Sequence, residues 1–122
     1  MLYCKENYGN ILIKSNILIV EDSEFLNKTI YTVLNAKEHY FIEQSFDFAQ
    51  ASTKLKENEY DFILLDLNLP DAYGEDLVND IKSLSKAKII ILTAEADKQI
   101  RESLFKNGIL DYIVKDKIFL NH

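Results

Sequence analysis

The sequence predicts an α/β fold built on a doubly wound parallel sheet, and three features predict it. Ile17–Val20, Phe62–Leu65 and Ile89–Leu92 are continuous apolar runs of strand length, the mark of strands buried on both faces. Between such runs lie stretches of ten or so residues with apolar positions at helical spacing. Strands that alternate with helices imply βαβ units, a parallel sheet and right-handed crossovers.

Met1–Asn16 is mixed, with Ile11-Leu12-Ile13 as its one apolar run, and reads as an N-terminal extension of no assigned role before a domain at 17–122. Ile17–Val20 is the first strand. Ser23 can cap the following helix, whose inward side is Leu26, Ile30, Val33 and Leu34. Tyr40–Phe46 alternates as a second strand, and Asp47 caps a helix with Phe48, Ala51 and Leu55 inward. Phe62–Leu65 leads to Asp66, after which Pro70 and Gly74 break the chain before a helix bearing Leu77, Val78, Ile81 and Leu84. Lys88–Leu92 is the fourth strand. A helix from Asp97 to Asn107 turns Ile100, Leu104 and Phe105 inward and stops at Gly108. Asp111–Val114 is the fifth strand. Only seven residues follow Lys115, so a fifth helix is expected to be truncated or absent and the chain to be a piece of something longer.

Composition bounds the function. A chain of 122 residues can form one domain with a sizeable core, and 48% apolar with 28% charged residues is ordinary globular composition. A formal net charge of -6 argues against general binding to nucleic acid, which needs a basic face. The single cysteine, Cys4, cannot form an internal disulfide. No apolar run approaches the roughly 18 residues of a membrane span, and no signal peptide begins the chain. The cytoplasm is the expected location.

The functional signal is positional. Glu21 and Asp22 follow the first apolar run, Asp66 closes the third strand with Asn68 two residues on, Thr93 closes the fourth, and Lys115 closes the fifth. In an open parallel sheet the carboxyl ends of the strands form one edge, where ligands bind. Alone, each residue has a bland reading: a strand-end Asp caps a helix or sits in solvent, Thr is a β-former, Lys is surface, and Tyr112 is core. Together they form a set. Three carboxylates in one crevice repel one another unless a cation lies between them, and Mg²⁺ suits hard oxygen ligands. A carboxylate such as Asp66 can attack phosphorus, with Lys115 and Thr93 available to stabilise the phosphoryl oxygens.

The stretches Ile17-Leu18-Ile19-Val20-Glu21-Asp22-Ser23, Asp66-Leu67-Asn68-Leu69-Pro70-Asp71 with Gly74, Thr93-Ala94-Glu95 and Asp111-Tyr112-Ile113-Val114-Lys115 resemble the receiver domains of bacterial two-component response regulators. The resemblance runs from Asn16 to Lys115. It implies a flavodoxin-like five-stranded sheet of order 2-1-3-4-5, with Asp66 as phosphoacceptor. By the same resemblance the metal set is Glu21, Asp22, Asp66 and the Asn68 backbone carbonyl. Thr93 and Lys115 hold the phosphoryl group, Thr93 and Tyr112 form the switch, and Asn68 and Glu95 tune dephosphorylation toward a short-lived signal. Its cofactor is Mg²⁺, and its donor is a sensor histidine kinase or histidine phosphotransfer protein, so His39 and His122 need no catalytic role. Homodimers are common in such domains.

Three positions depart from that pattern. Asp116 follows the lysine where proline in a cis peptide is usual, and a cis bond before a non-proline residue costs about 3–4 kcal/mol, so Lys115-Asp116 is expected to be trans. Ile109 replaces a small alanine, and the fifth helix is cut short. The Lys-Asp pair faintly resembles first receivers of tandem-receiver diguanylate cyclases, so a C-terminal output domain or second receiver is expected outside the chain. The alternative is a pseudo-receiver, an interaction module that is not phosphorylated. An aspartyl-phosphate phosphatase would need a second aspartate where Asn68 stands, and a dinucleotide-binding domain would need a glycine-rich turn after the first strand.

Overall fold

A computed structural model of the chain describes residues 14–94 and 97–115. Strands β1 (Ser15–Val20), β2 (Tyr40–Ser45), β3 (Phe62–Asp66), β4 (Lys88–Thr93) and β5 (Asp111–Val114) alternate with helices α1 (Glu24–Asn35), α2 (Phe48–Glu57), α3 (Gly74–Leu84) and α4 (Lys98–Lys106). All five strands are parallel, in the order β2-β1-β3-β4-β5. That is the predicted doubly wound sheet. The first strand begins at Ser15, two residues before the apolar run.

Side chains alternate across the sheet with the period of two that a pleated strand imposes. Leu18 and Val20 of β1, Ile63 and Leu65 of β3, and Ile89 and Ile91 of β4 pack on one face against α2, α3 and Leu104 of α4. Ile17 and Ile19 turn to the other face against Leu26 and Ile30 of α1. A central strand buried on both sides therefore reads as an unbroken apolar run. Each large side chain removed from water contributes roughly 1.5–3 kcal/mol.

Caps set the helix ends. Ser23 Oγ accepts from Leu26 N at 3.2 Å, Asp47 Oδ1 from Gln50 N at 2.7 Å, and Asp97 Oδ1 from Gln99 N and Ile100 N. At the end of α4, Gly108 takes φ +94°, and its N–H and that of Ile109 return to the carbonyls of Phe105 and Leu104. This paired return is the Schellman closure that a glycine permits. A cap not anticipated from the sequence is Asp71, whose two oxygens accept from Phe48 N at 2.8 Å and Ala49 N at 3.0 Å. The loop after β3 is thereby clamped to the N-terminus of α2.

Three inward assignments are corrected. Val33, Ile100 and Phe105 are 41%, 40% and 44% exposed, because the surfaces their helices cover are narrower than the apolar stripes. In α4 only Leu104 is fully buried among the described residues. The segment expected to hold a truncated fifth helix, with Asp116, and the first 13 residues lie outside the described residues. Among the described residues no helix is long and apolar enough to cross a membrane.

Candidate functional site

Strand register brings the predicted residues to one edge. Val20 pairs with Leu65, Leu65 with Ile91, and Ile91 with Tyr112. One step beyond that row come Glu21 and Asp66, and Thr93 lies one step further, paired with Val114. Lys115 follows Val114 at the same edge. Asp22, Asp66, Asn68, Thr93, Tyr112 and Lys115 line a single cavity of about 470 Å³, and Glu21 lies beneath it, fully buried. A larger groove of about 730 Å³ opens among the chain segments entering β3 and β4. It is lined by lysines and by Glu57, Glu59 and Asp61, but among the described residues these acids do not converge as Glu21, Asp22 and Asp66 do, so its size does not make it the reactive site.

The polar contacts are specific. Lys115 Nζ lies 2.7 Å from Glu21 Oε1 and 3.2 Å from Asp66 Oδ2. Asp66 Oδ1 accepts from Asn68 N at 3.0 Å, and Glu21 Oε2 from Ser23 N at 3.0 Å. Oxygens of Glu21, Asp22 and Asp66 all lie within 4.8 Å of one another. Thr93 is 8% exposed, and Tyr112 is half-buried, packed against the core.

This crowding shifts the acids in opposite directions. Burial, reinforced by the charge of Glu21 and the hydrogen bond with Asp22, pushes the Asp66 carboxyl up to about 7, while Asn68 N–H and Lys115 oppose. Burial works against the Asp22 charge too, but its bonds with Glu21 and Asp66 outweigh it and hold that carboxyl below its ordinary value. Two carboxyls in contact resist ionising together, which is why one rises as the other falls. Burial likewise disfavours the Lys115 ammonium, but its contacts with Glu21 and Asp66 win and raise it.

A hard divalent cation fits this donor set. Glu21 Oε1 is buried and has no hydrogen bond, so its contact with Lys115 is an ion pair without hydrogen-bond alignment. Three carboxylates whose oxygens lie within 4.8 Å of one another, balanced by one ammonium, carry excess negative charge that a divalent cation would offset.

Glu21, Asp22, Asp66, Asn68, Thr93, Tyr112 and Lys115 thus converge on one edge of the sheet. Glu95 lies outside the described residues. Tyr73, Gly74 and Ile100 also line the cavity. Helical spacing puts Ile100 in the core, and no sequence pattern marks Tyr73. Tyr73 is 75% exposed and N-caps α3 without a side-chain bond, a role that no residue type announces.

Comparison with known proteins points the same way. A family model described as the response regulator receiver domain matches residues 17–118. The response regulator ArlR of Staphylococcus saprophyticus is 37% identical over 101 residues, which are 83% of this chain and 46% of that protein. The transcriptional regulatory protein ResD of Bacillus subtilis is 33% identical over 84% of this chain and 42% of its own length. The chain thus spans less than half of these two relatives. Among solved structures, the non-phosphorylated HemR receiver domain of Leptospira biflexa superposes with a TM-score of 0.77 at 34% identity, covering 88% of this chain and 89% of that one. A Burkholderia pseudomallei response regulator solved with a phosphorylated aspartic acid and a calcium ion gives 0.74 at 25% identity, over 84% and 60% of the two chains. TrrA of Thermotoga maritima, in complex with Mg²⁺ and BeF, gives 0.69 at 29%, over 82% and 85%.

Proposed function

The chain belongs to the response regulator receiver domain family, and on that premise we propose that Asp66 is its phosphoacceptor. The carrying observation is that Asp66, 2% exposed, sits at the end of β3 beside the acidic pair and the Lys115 ammonium, in one cavity with Thr93. Its donor is a phosphohistidine on a sensor histidine kinase or histidine phosphotransfer protein. An Asp66 carboxylate oxygen forms a bond to phosphorus as the N–P bond breaks. The imidazole nitrogen keeps the electron pair and takes up a proton from solvent, leaving an aspartyl phosphate.

Each surrounding group has a task. Glu21, Asp22, Asp66 and the Asn68 backbone carbonyl would hold Mg²⁺, which when bound neutralises charge on the transferring oxygens. Lys115 balances the buried carboxylates and then the new phosphoryl charge, and Thr93 donates its hydroxyl to a phosphoryl oxygen. Movement of Thr93 toward phosphate frees space for Tyr112 to swing inward, which alters the α4–β5 surface. Asn68 and Glu95 stand at positions that tune hydrolysis of the acyl phosphate. The residues before Ser15 are an N-terminal extension ahead of the receiver, whose first strand begins there. The domain acts in the cytoplasm, within a longer regulator that carries an output domain or second receiver, and homodimerisation is a route by which it signals. A diguanylate cyclase output rests on the Lys115-Asp116 pair alone.

Incubation with acetyl phosphate and Mg²⁺, followed by intact mass, tests this reading. The expected result is one acid-labile phosphoryl group on the wild-type chain, none on Asp66→Asn, and little without Mg²⁺. Unchanged labelling of Asp66→Asn would place the acceptor elsewhere, and an unlabelled wild type that ignores Mg²⁺ and beryllofluoride would make the domain a pseudo-receiver.

A further inference from the structure

Asn27 is fully buried on the inward face of α1, between Leu26 and the apolar layer at Ile30. A buried amide is costly unless its groups are paired, and this one is paired three times. Its Nδ2 donates to the Glu21 carbonyl at 2.9 Å and to the Ser45 carbonyl at 3.0 Å. Its Oδ1 accepts from Gln44 Nε2 at 2.9 Å. The Ser45 carbonyl also accepts from Glu21 N at 3.1 Å, and Ser45 Oγ donates to the Ile19 carbonyl at 3.0 Å.

These bonds pin the tripeptide that carries the acidic pair. Glu21 is held through its N–H by Ser45, through its carbonyl by Asn27, and through Oε2 by Ser23 N–H. The Ser23 carbonyl accepts from the Asn27 backbone N–H at 2.9 Å. Asn27 therefore grips the segment on both sides of Asp22, by side chain on one peptide and by backbone on the other. The Glu21–Asp22 peptide plane sets the direction in which the Asp22 carboxylate leaves the chain. Two of the three metal-directed carboxylates thus take their aim from one amide.

We propose that Asn27 is a positioning residue for the divalent-cation site, acting through the Glu21 carbonyl rather than by touching the ion. The proposal rests on the Mg²⁺ reading above. Partners that orient metal ligands from behind typically contribute 10–100-fold in affinity, and Asn27→Ala should weaken Mg²⁺ binding by about tenfold or more. The experiment titrates Mg²⁺ into the full chain by calorimetry and amide NMR, with thermal unfolding recorded in EDTA. Ile30→Ala, which thins the same helix face without touching the tripeptide, is the control for stability loss alone. Gln44→Leu removes the bond that orients the Asn27 amide from the half-buried side, and it carries the test should Asn27→Ala not fold.

Weaker Mg²⁺ binding in Asn27→Ala or Gln44→Leu, with Ile30→Ala near wild type when folded, supports the assignment. Equal Mg²⁺ affinity in the folded Asn27 and Gln44 variants and the wild type overturns it and leaves the metal reading intact. A wild type that does not bind Mg²⁺ overturns both.

Discussion

Two flanks of the site are held together by opposite means. Where β1 and β2 meet α1, the polar groups are sealed from water: Asn27, Ser45 and Glu21 are each 0% exposed, and their bonds close within the protein. Where α3 meets α4, the bonds lie on the surface. Ser103 donates to Glu75, Asn107 Nδ2 to Asn79 Oδ1 at 2.8 Å, and Lys82 Nζ to Asn107 Oδ1 at 3.1 Å. Beneath this ladder, Leu104 alone of the described α4 residues is fully buried. Breaking a buried hydrogen bond leaves its groups unpaired at their full desolvation cost, whereas an exposed one exchanges with water. The acidic pair is therefore built on the rigid flank, and the helix that follows Thr93 is built on the yielding one. The proposed function calls for both: fixed ligands for a cation, and an element that can answer a change at Thr93.

The charge balance on the rigid flank gives the largest expected effect. Folding raises the Asp66 carboxyl from 3.8 to about 7. Between those values the folded state keeps a proton that the unfolded chain has released. The unfolded state then binds fewer protons, so stability falls as pH rises through that window, by up to about 4 kcal/mol in all. Below it both states are protonated and the penalty is absent; above it the penalty is complete. Urea unfolding in EDTA from pH 4 to 8 should show this decline relative to Asp66→Asn. Parallel curves for the two proteins would mean that Asp66 is not strained by its neighbours.

Lys115→Met sharpens the same comparison from the cation's side. Removing one partner of a buried ion pair costs about 3 kcal/mol or more, and here two carboxylates lose their counter-charge together. The loss should be greatest near pH 8, where Asp66 is ionised, and Mg²⁺ should restore part of it by supplying charge to the same oxygens. Equal denaturant midpoints for variant and wild type, with and without Mg²⁺, would show that the crevice does not depend on Lys115 for its charge balance.

Much of this was legible in the residues because a parallel sheet converts sequence position into spatial position. Once Ile17–Val20, Phe62–Leu65, Ile89–Leu92 and Tyr112–Val114 were recognised as parallel strands, the groups at their ends had to share an edge. Strand register alone carries Glu21 and Asp66 there. The inward side of a helix was less legible. Val33, Ile100 and Phe105 have the right spacing, but how far the apolar stripe is covered depends on neighbours that spacing does not reveal. The roles of Asn27 and Asp71 are hidden in the sequence for another reason. Their partners are backbone groups of Glu21, Ser45, Phe48 and Ala49, and every residue carries such groups, so nothing in residue type marks the acceptor or donor. The position of Asp71 just after Pro70 was the one available hint, since a loop aspartate free of its own helix can cap another.

The smallest effect tests the yielding flank. Asn79→Ala removes the Asn79–Asn107 bond from a surface ladder and should cost about 0.5–1 kcal/mol. That cost should appear locally, as faster amide exchange in Lys98–Lys106, with β1 and α1 unchanged. The reason is cooperativity: α4 has little buried apolar surface to share with the core, so it can open without the sheet opening. Asn27→Ala should do the reverse, loosening residues 19–27 and 44–46 and leaving α4 alone. If exchange instead rises equally in α1 and α4 for both variants, the two flanks form one cooperative unit. The cation site and the helix after Thr93 would then have to move together, and the division of labour drawn from their bonding would be lost.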